Sequence, residues 1–402
     1  MSNKVVIVGT GCTKKPGKAH INKSFKELLV EASYEAIRDA NINPEDISAA
    51  SFSYGGEGEI GHGGITPTLV DALGLSPIPA FINIANCASA HTAFLQGRDM
   101  IKSGRYKIVL VAGFDKCTDL IPFGDYMNWS SDSMYDYNLG FSHIDSLLLG
   151  TEYFRENKIS IDIQKKSLIK FAKLVRENAH SNPVATMYKK PIPTEEELMN
   201  MPFFGNIMSA GEGASAVILT SEENARNICD KPILVEGTGF VSSSHYIGHR
   251  YKPSLMRGVE DSVNGSMGNS IPLETACKEA YNEAKISPKD IDTIQVYDQL
   301  INGFIALEAS GVCEKGKAPE FLISGKGDID GECPINTDGG NIGRGHAGGA
   351  ASLYQIIEIT RQLQGRATGR KIKDSSTYGL STAVGGYYAT AIAVILSNKL
   401  FK

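Results

Sequence analysis

Apolar and polar positions along this chain alternate between two periods, and each change of period marks an element. Val5-Val6-Ile7-Val8-Gly9 is an unbroken apolar run ending in glycine, the pattern of a strand buried on both faces. Over 24–40 the spacing becomes three and four, so Leu28, Leu29, Ala32, Ala36 and Ile37 share one face of a predicted helix. Further strands are predicted over 47–54, 80–84 and 107–113. Between them lie a short helix over 66–73 and a longer one over 88–101, the latter with Ala90, Ala93, Phe94, Met100 and Ile101 at helical spacing. Strands alternating with helices predict a mostly parallel, helix-covered sheet.

From Phe114 to about Gly211 the pattern loosens. Pro122, Asp125, Tyr126, Trp129 and Asn138 belong to an irregular stretch that also holds His143. Helical spacing resumes around 144–157 and 161–181, and Pro191-Ile192-Pro193 reads as a linker. This predicts a loop domain inserted at about 115–211 within an N-terminal half, 1–225. Gly213-Ala214-Ser215-Ala216-Val217-Ile218-Leu219 returns to the core as a strand.

The second half, 226–402, repeats the first. Ala32, Ala36, Ala40, Ile42, Pro44, Asp46 and Ile47 recur at one constant offset as Ala276, Ala280, Ala284, Ile286, Pro288, Asp290 and Ile291. Seven identities in one register, across a helix, a proline-containing turn and the start of a strand, indicate an internal duplication. The strand 294–296 leads into Tyr297-Asp298-Gln299-Leu300. A helix is predicted over 350–363, and strands over 378–380 and 389–396 close the chain, separated by Gly385-Gly386.

Composition narrows the function classes. A net charge of −5 gives no electrostatic reason to expect nucleic acid or an anionic membrane surface as partner. No stretch reaches the length of a membrane span, and Met1-Ser2-Asn3-Lys4 runs straight into a strand rather than a signal peptide. The seven cysteines show no CxxC pairing, which argues against a zinc site or a disulfide framework and for a reducing cytoplasm.

The candidate chemistry begins at Asn86-Cys87-Ala88-Ser89-Ala90, where a predicted strand turns into a predicted helix with Asn86 as its N-cap. A thiol there faces unpaired N–H groups and the positive end of the helix dipole, and both favour the nucleophilic thiolate. The alternative is a cysteine that serves as one more small buried hydrophobe. Gly55-Gly56 and Gly63-Gly64 do not form a phosphate loop, because no Lys-Ser/Thr follows them. His62 in that loop reads as structural, and Arg344 as meeting either a phosphate or the solvent.

Taken together, these motifs resemble the thiolase superfamily over essentially the whole length of the chain, nearest its sterol-carrier and archaeal branch. The resemblance implies a duplicated five-layered α/β/α/β/α fold with an inserted loop domain. Asn86-Cys87-Ala88-Ser89-Ala90, followed by Gln96-Gly97 and Val109-Leu110-Val111-Ala112-Gly113, is similar to the block that carries the family's nucleophilic cysteine. Gly343-Arg344-Gly345-His346-Ala347-Gly348-Gly349-Ala350 is similar to the Gly-His-Pro motif whose histidine activates it. The resemblance implies Cys87 and His346 as catalytic residues, with Gly348, Gly385 and Gly386 near the oxyanion or substrate, and no metal.

Three positions depart from the family. Where thiolases carry an acid/base cysteine, this chain has Ala383, in Ala383-Val384-Gly385-Gly386, and Gln299; neither exchanges a proton near neutral pH. Tyr297 stands where thiolases have the asparagine or histidine of an oxyanion hole. Acyl transfer to Cys87 is therefore expected to survive, and Claisen condensation is not.

Tyrosine at that position is shared by two specialised relatives. One is the thiolase-like subunit of the bacterial diacetylphloroglucinol acyltransferase, which works with ketosynthase-like and OB-fold partner proteins. The other is the thiolase-like retro-aldolases. Retention of both Cys87 and His346 favours the first, with the loop residue His143 as the extra acid/base that a phenolic substrate requires; in the retro-aldolases the tyrosine, here Tyr297, takes part in the retro-aldol step. The expectation is thus a cysteine-dependent acyltransferase and homodimer with no cofactor, using a small-molecule donor, for which a coenzyme A thioester qualifies, and a carbon acceptor. A sterol-carrier-type acyl-CoA thiolase, a retro-aldolase and a non-catalytic scaffold subunit stand as alternatives.

Overall fold

The computed structural model describes residues 4–120, 134, 136, 143–200, 204–252, 265–299 and 301–401. Its first half runs β1 (Val5–Cys12), α1 (Phe25–Asp39), β2 (Ala49–Ser53), β3 (Ala80–Asn83), α2 (Ser89–Lys102), β4 (Ile108–Asp115), α3 (His143–Glu156), α4 (Ile161–Ser181) and β5 (Gly213–Ser221). The second runs β6 (Ile233–Ser242), α5 (Ile271–Ala284), β7 (Thr293–Gln295), α6 (Asn302–Ala309), α7 (Gly348–Leu363), β8 (Tyr378–Gly385) and β9 (Thr390–Ser397).

The strands line up in the order β3-β2-β4-β5-β1-β6-β9-β8-β7. The two halves meet where β1 pairs with β6 over two residues, Val6 opposite Leu234 and Ile7 opposite Ile233. The sheet is mixed rather than mostly parallel. β2 is parallel to β3 and β4, and β7 to β8, whereas β1–β5, β4–β5, β6–β9 and β8–β9 are antiparallel. The long excursion between β4 and β5 brings the chain back in the opposite direction, which the apolar runs alone do not encode.

Alternation along the strands builds the layers. Val6, Val8, Leu110, Ala112, Ala216 and Ile218 face α1, while Val5, Ile7, Val109, Val111, Val217 and Leu219 face α2 and α7. On β9, Ile392, Val394 and Leu396 join that same central layer, and Ala391, Ala393 and Ile395 face α5. The result is helix, sheet, paired helices, sheet, helix.

The duplication recurs in detail. α1 lies so close to β1 that a Cβ on Gly11 would meet the Ala32 carbonyl oxygen at 2.1 Å; on Gly239 in β6 it would meet that of Ala276 at 1.9 Å. Each of these two strands carries one register shift, between Ile7 and Gly9 in β1 and between Val235 and Gly237 in β6. Each helix gives way to a left-handed residue, Asn41 or Lys285, and then a short 3-10 turn, Pro44–Asp46 or Pro288–Asp290. α2 and α7 are counterparts in this repeat and pack against each other, with the His91 N–H donating to Ser352 Oγ at 3.1 Å.

Among the described residues, no helix is long and apolar enough to cross a membrane.

Candidate active site

Cys87 lies where β3 turns into α2. Asn86 takes a left-handed conformation, φ 53°, which asparagine tolerates better than most residues. Ala88, not Asn86, is the N-cap, and it makes no side-chain capping bond. Ser89 stabilises the turn instead: its Oγ accepts from the Ala85 N–H at 2.8 Å and donates to the Asn86 carbonyl at 2.6 Å. The end of β8 closes over this turn. A Cβ on Gly385 would meet the Ala85 carbonyl oxygen at 2.3 Å, so only glycine fits there.

His346 stands at the corresponding point of the second half, two residues before α7. The loop that carries it is anchored from several sides. Asp298 accepts from the N–H groups of Asn341 at 2.7 Å and Ile342 at 3.3 Å. α4 supports it, with Asn178 Nδ2 donating to the carbonyls of Ile335 and Asn336 at 3.2 and 3.1 Å. Gly345 has φ 106° and a Cβ there would lie 1.8 Å from the Pro16 carbonyl oxygen, so the turn requires glycine. The His346 N–H donates to the Ser209 carbonyl at 2.8 Å. Its ring Nε2 is buried and has no hydrogen-bond partner. An orphaned buried ring nitrogen costs free energy unless something else engages it.

Tyr297 joins the two. Its hydroxyl donates to Cys87 Sγ at 3.6 Å, and its ring stands edge-on to the His346 ring with centroids 5.8 Å apart. Cys87 opens into a recess of about 350 Å³, the open space at its mouth included, lined also by Gln299, Asn302, Val384, Gly386, Tyr387 and Tyr388. Gln299 Nε2 is a second buried donor without a partner. Sequence reasoning treats Gln299 only as a lost acid/base; here it is an amide N–H available to a substrate oxygen. From the closing motif Val384 lines the recess, while Ala383 packs into the central layer. Neither transfers protons.

Burial sets the protonation states. It pushes the Cys87 thiol up to about 11, against the pull of the Tyr297 hydroxyl. This corrects the expectation of a lowered thiol. Cys87 precedes the N-cap rather than entering the first helical turn, and the apolar packing around it outweighs the dipole. Burial also pulls His346 down to about 3, assisted by the charge of Arg344. The pair therefore rests as neutral thiol and neutral imidazole. Tyr297 is raised well above its ordinary value, by burial first and then by Cys87.

The other sequence-predicted residues divide. Gly386 lines the recess with Cys87; Gly348 is the first residue of α7 and is not among the residues that line it. His143 opens α3, and its side chain lies outside the described residues. Arg344 meets neither phosphate nor solvent: it is buried, pairs with Asp338 at 2.6 Å and donates to Asn341 Oδ1 at 2.7 Å. Tyr387 and Tyr388, which sequence reasoning passes over, have φ 48° and 69° and follow Gly386 at 51°. Two bulky left-handed residues cost about 1–3 kcal/mol each. The Tyr388 hydroxyl, donating to the Asn302 carbonyl at 3.1 Å, helps to hold them there.

Two family models match the chain: the thiolase N-terminal domain over residues 5–201, and the thiolase C-terminal domain-like family over 264–398. An acetyl-CoA acetyltransferase of Methanothermobacter thermautotrophicus is 29% identical over 385 residues, covering 93% of this chain and 95% of that one. Sterol carrier protein 2 of Gallus gallus is 28% identical over 390 residues, covering 92% of this chain and 68% of that one. Among solved structures, the Ltp2-ChsH2(DUF35) aldolase superposes with a TM-score of 0.77 at 20% identity, over 98% of each chain. Human mitochondrial 3-ketoacyl-CoA thiolase superposes with 0.69 at 16% identity, over 98% of this chain and 99% of that one.

Proposed function

The chain belongs to the thiolase superfamily and is an acyltransferase, and on that premise we propose that it forms an acyl-enzyme on Cys87 and passes the acyl group to a carbon nucleophile. One observation carries this reading: a buried thiol and an orphaned buried imidazole are both in contact with a single tyrosine. His346 Nε2 takes the Cys87 proton as Sγ attacks the carbonyl of a thioester such as an acyl-CoA. The C–S bond to the leaving thiol breaks, and that thiol recovers the proton from the imidazolium. Gln299 Nε2 and backbone N–H groups near Gly386 stabilise the oxyanion.

The acceptor then attacks the acyl carbon and expels Cys87 Sγ. Val384 and Gln299 supply no base for an α-proton. The acceptor carbon is therefore one already nucleophilic, and a phenolic ring is the class that fits. Tyr297 and His143 are the groups we assign to proton movement on that ring. Incubation with acetyl-CoA should add one acetyl group to the intact protein, localised by peptide mapping to Cys87. Acetoacetyl-CoA formation from two acetyl-CoA should be slower by ~10²-fold or more than acylation, since general base catalysis contributes on that scale. Rapid condensation by the protein alone would mean that an unassigned base serves the acceptor.

A retro-aldolase is the second reading, favoured by the Tyr297 hydroxyl standing in the recess as an acid/base. It requires no acyl-enzyme, so the acetylation experiment separates the two.

We also propose that a second copy covers β3. This edge strand presents Phe81, 40% exposed, beside Ile84, 48% exposed, and an open apolar edge invites pairing. Sedimentation at micromolar concentration should give a dimer, and Phe81→Lys should shift it toward monomer. Ketosynthase-like and OB-fold proteins remain the partner classes we propose beyond the dimer.

A further inference from the structure

A second recess, also of about 350 Å³ with the open space at its mouth included, shares a wall with the Cys87 recess: Tyr387 and Tyr388 line both. Its remaining lining has a different chemistry. Four serines, with His249 and Arg250, bring polar groups to it, beside the apolar Ile271 and Pro272. Nothing in the acyl-transfer reading uses this space.

Arg250 is the informative residue. It is half-buried, and its guanidinium lies over the Tyr388 ring, 5.1 Å from the centroid. Nη1 donates to the Tyr387 carbonyl at 3.1 Å, and Nη2 donates to the carbonyls of Met267, at 2.8 Å, and Asn269. Among the described residues no carboxylate forms an ion pair with it. Glu156, on α3, reaches the same loop, but Ser266 Oγ and the N–H groups of Met267 and Gly268 donate to its carboxylate. The positive charge of Arg250 is thus held by carbonyl dipoles, and among the described residues no carboxylate is bonded to it directly. One Nη1 hydrogen remains unassigned, and Nε has no partner. A half-buried cation in that state is stabilised by a charge-assisted bond to an oxyanion.

The same guanidinium fixes the dividing wall. It bonds the Tyr387 carbonyl and stacks on Tyr388, the two left-handed tyrosines that face Cys87 on their other side. Residues held in sparsely populated backbone regions concentrate where a site over-determines them.

We propose that this cavity is a subsite for a carboxylate at the far end of the acyl group, held by Arg250 while the acyl carbon reacts at Cys87. A single cation with few donors left matches a monoanion better than a phosphate dianion. The inference rests on the acyl-enzyme reading for what the carboxylate is attached to, but the anion site itself does not.

The experiment has two arms. In the first, succinyl, glutaryl and adipyl thioesters of N-acetylcysteamine are compared with their terminal amides by the rate of Cys87 acylation, read as intact mass. At least one acid should outpace its amide by about tenfold or more, the scale of one charge-assisted bond. R250M should bring that ratio to about one, and R250K should keep part of it. In the second arm, free glutarate and glutaramide are titrated by calorimetry into the wild-type protein and into R250M. Glutarate should bind the wild type, glutaramide should not, and R250M should lose the glutarate heat. Glutarate binding without acylation by any thioester would sustain the subsite and remove the acyl-enzyme. Equal rates for every acid and amide, together with no glutarate binding, would overturn the subsite. So would inorganic phosphate binding tighter than glutarate, since the pocket would then serve a phosphate.

Discussion

Cys87→Ser is expected to lose acyl transfer by ~10⁴-fold or more, the scale on which removal of a covalent nucleophile acts. The wild-type thiol is neutral at rest, pushed up to about 11 by burial, so it depends on a base at the moment of attack. A serine hydroxyl in the same apolar surroundings is far harder to deprotonate, and neutral His346 is too weak a base to close that gap. The fold should be unchanged, because the replacement is close in size and the turn is held by Ser89 rather than by the thiol. The check is intact mass after mixing with acetyl-CoA, with thermal melting as the control. Full turnover by the serine variant would exclude the acyl-enzyme and leave Tyr297 as the acid/base of a retro-aldol step.

His346→Ala is expected to slow acylation by about 10²–10⁴-fold at neutral pH, and its pH profile is the sharper test. In the wild type the base is free above about 3 and the thiol keeps its proton below about 11. Acylation should therefore be nearly flat with pH between those limits. Without the imidazole only the thiolate fraction reacts, so the rate should climb about tenfold per pH unit toward 11. A wild-type rate that climbs in the same way would mean that His346 takes no proton. The sign follows from the structure: burial lowers the histidine and raises the cysteine, so both stay uncharged across the physiological range.

Much of this architecture was legible along the chain. The run from Val5, the amphipathic face of Leu28, Leu29, Ala32 and Ala36, and the recurrence of Ala32–Ile47 as Ala276–Ile291 each correspond to an element. Cys87 and His346 were legible because each lies between a strand or glycine loop and a strongly periodic helix. Electrostatics was not legible. The thiol of Cys87 is set by burial, against the pull of Tyr297 from the other half, and no local pattern reports that packing. Strand direction was lost for a similar reason, since the path between β4 and β5 depends on how a long excursion returns.

Tyr387 and Tyr388 were missed because left-handed turns are recognised by their glycines, and here two aromatic residues occupy them. Arg344 was misjudged although its partners, Asp338 and Asn341, are close in sequence: an arginine amid glycines looks exposed until the loop folds around it.

The correspondence of α2 with α7 has one more consequence. Cys87 and His346 each stand two residues before the counterpart helix of their own half, and Tyr297 bridges them. Two separate, identical halves would place the same residue at both points, two thiols or two imidazoles, and neither combination makes a nucleophile with its base. A single continuous polypeptide can hold one of each. Joining the halves end to end is thus what allows the central pair to be unlike, and a fragment comprising either half alone would carry only one member of it.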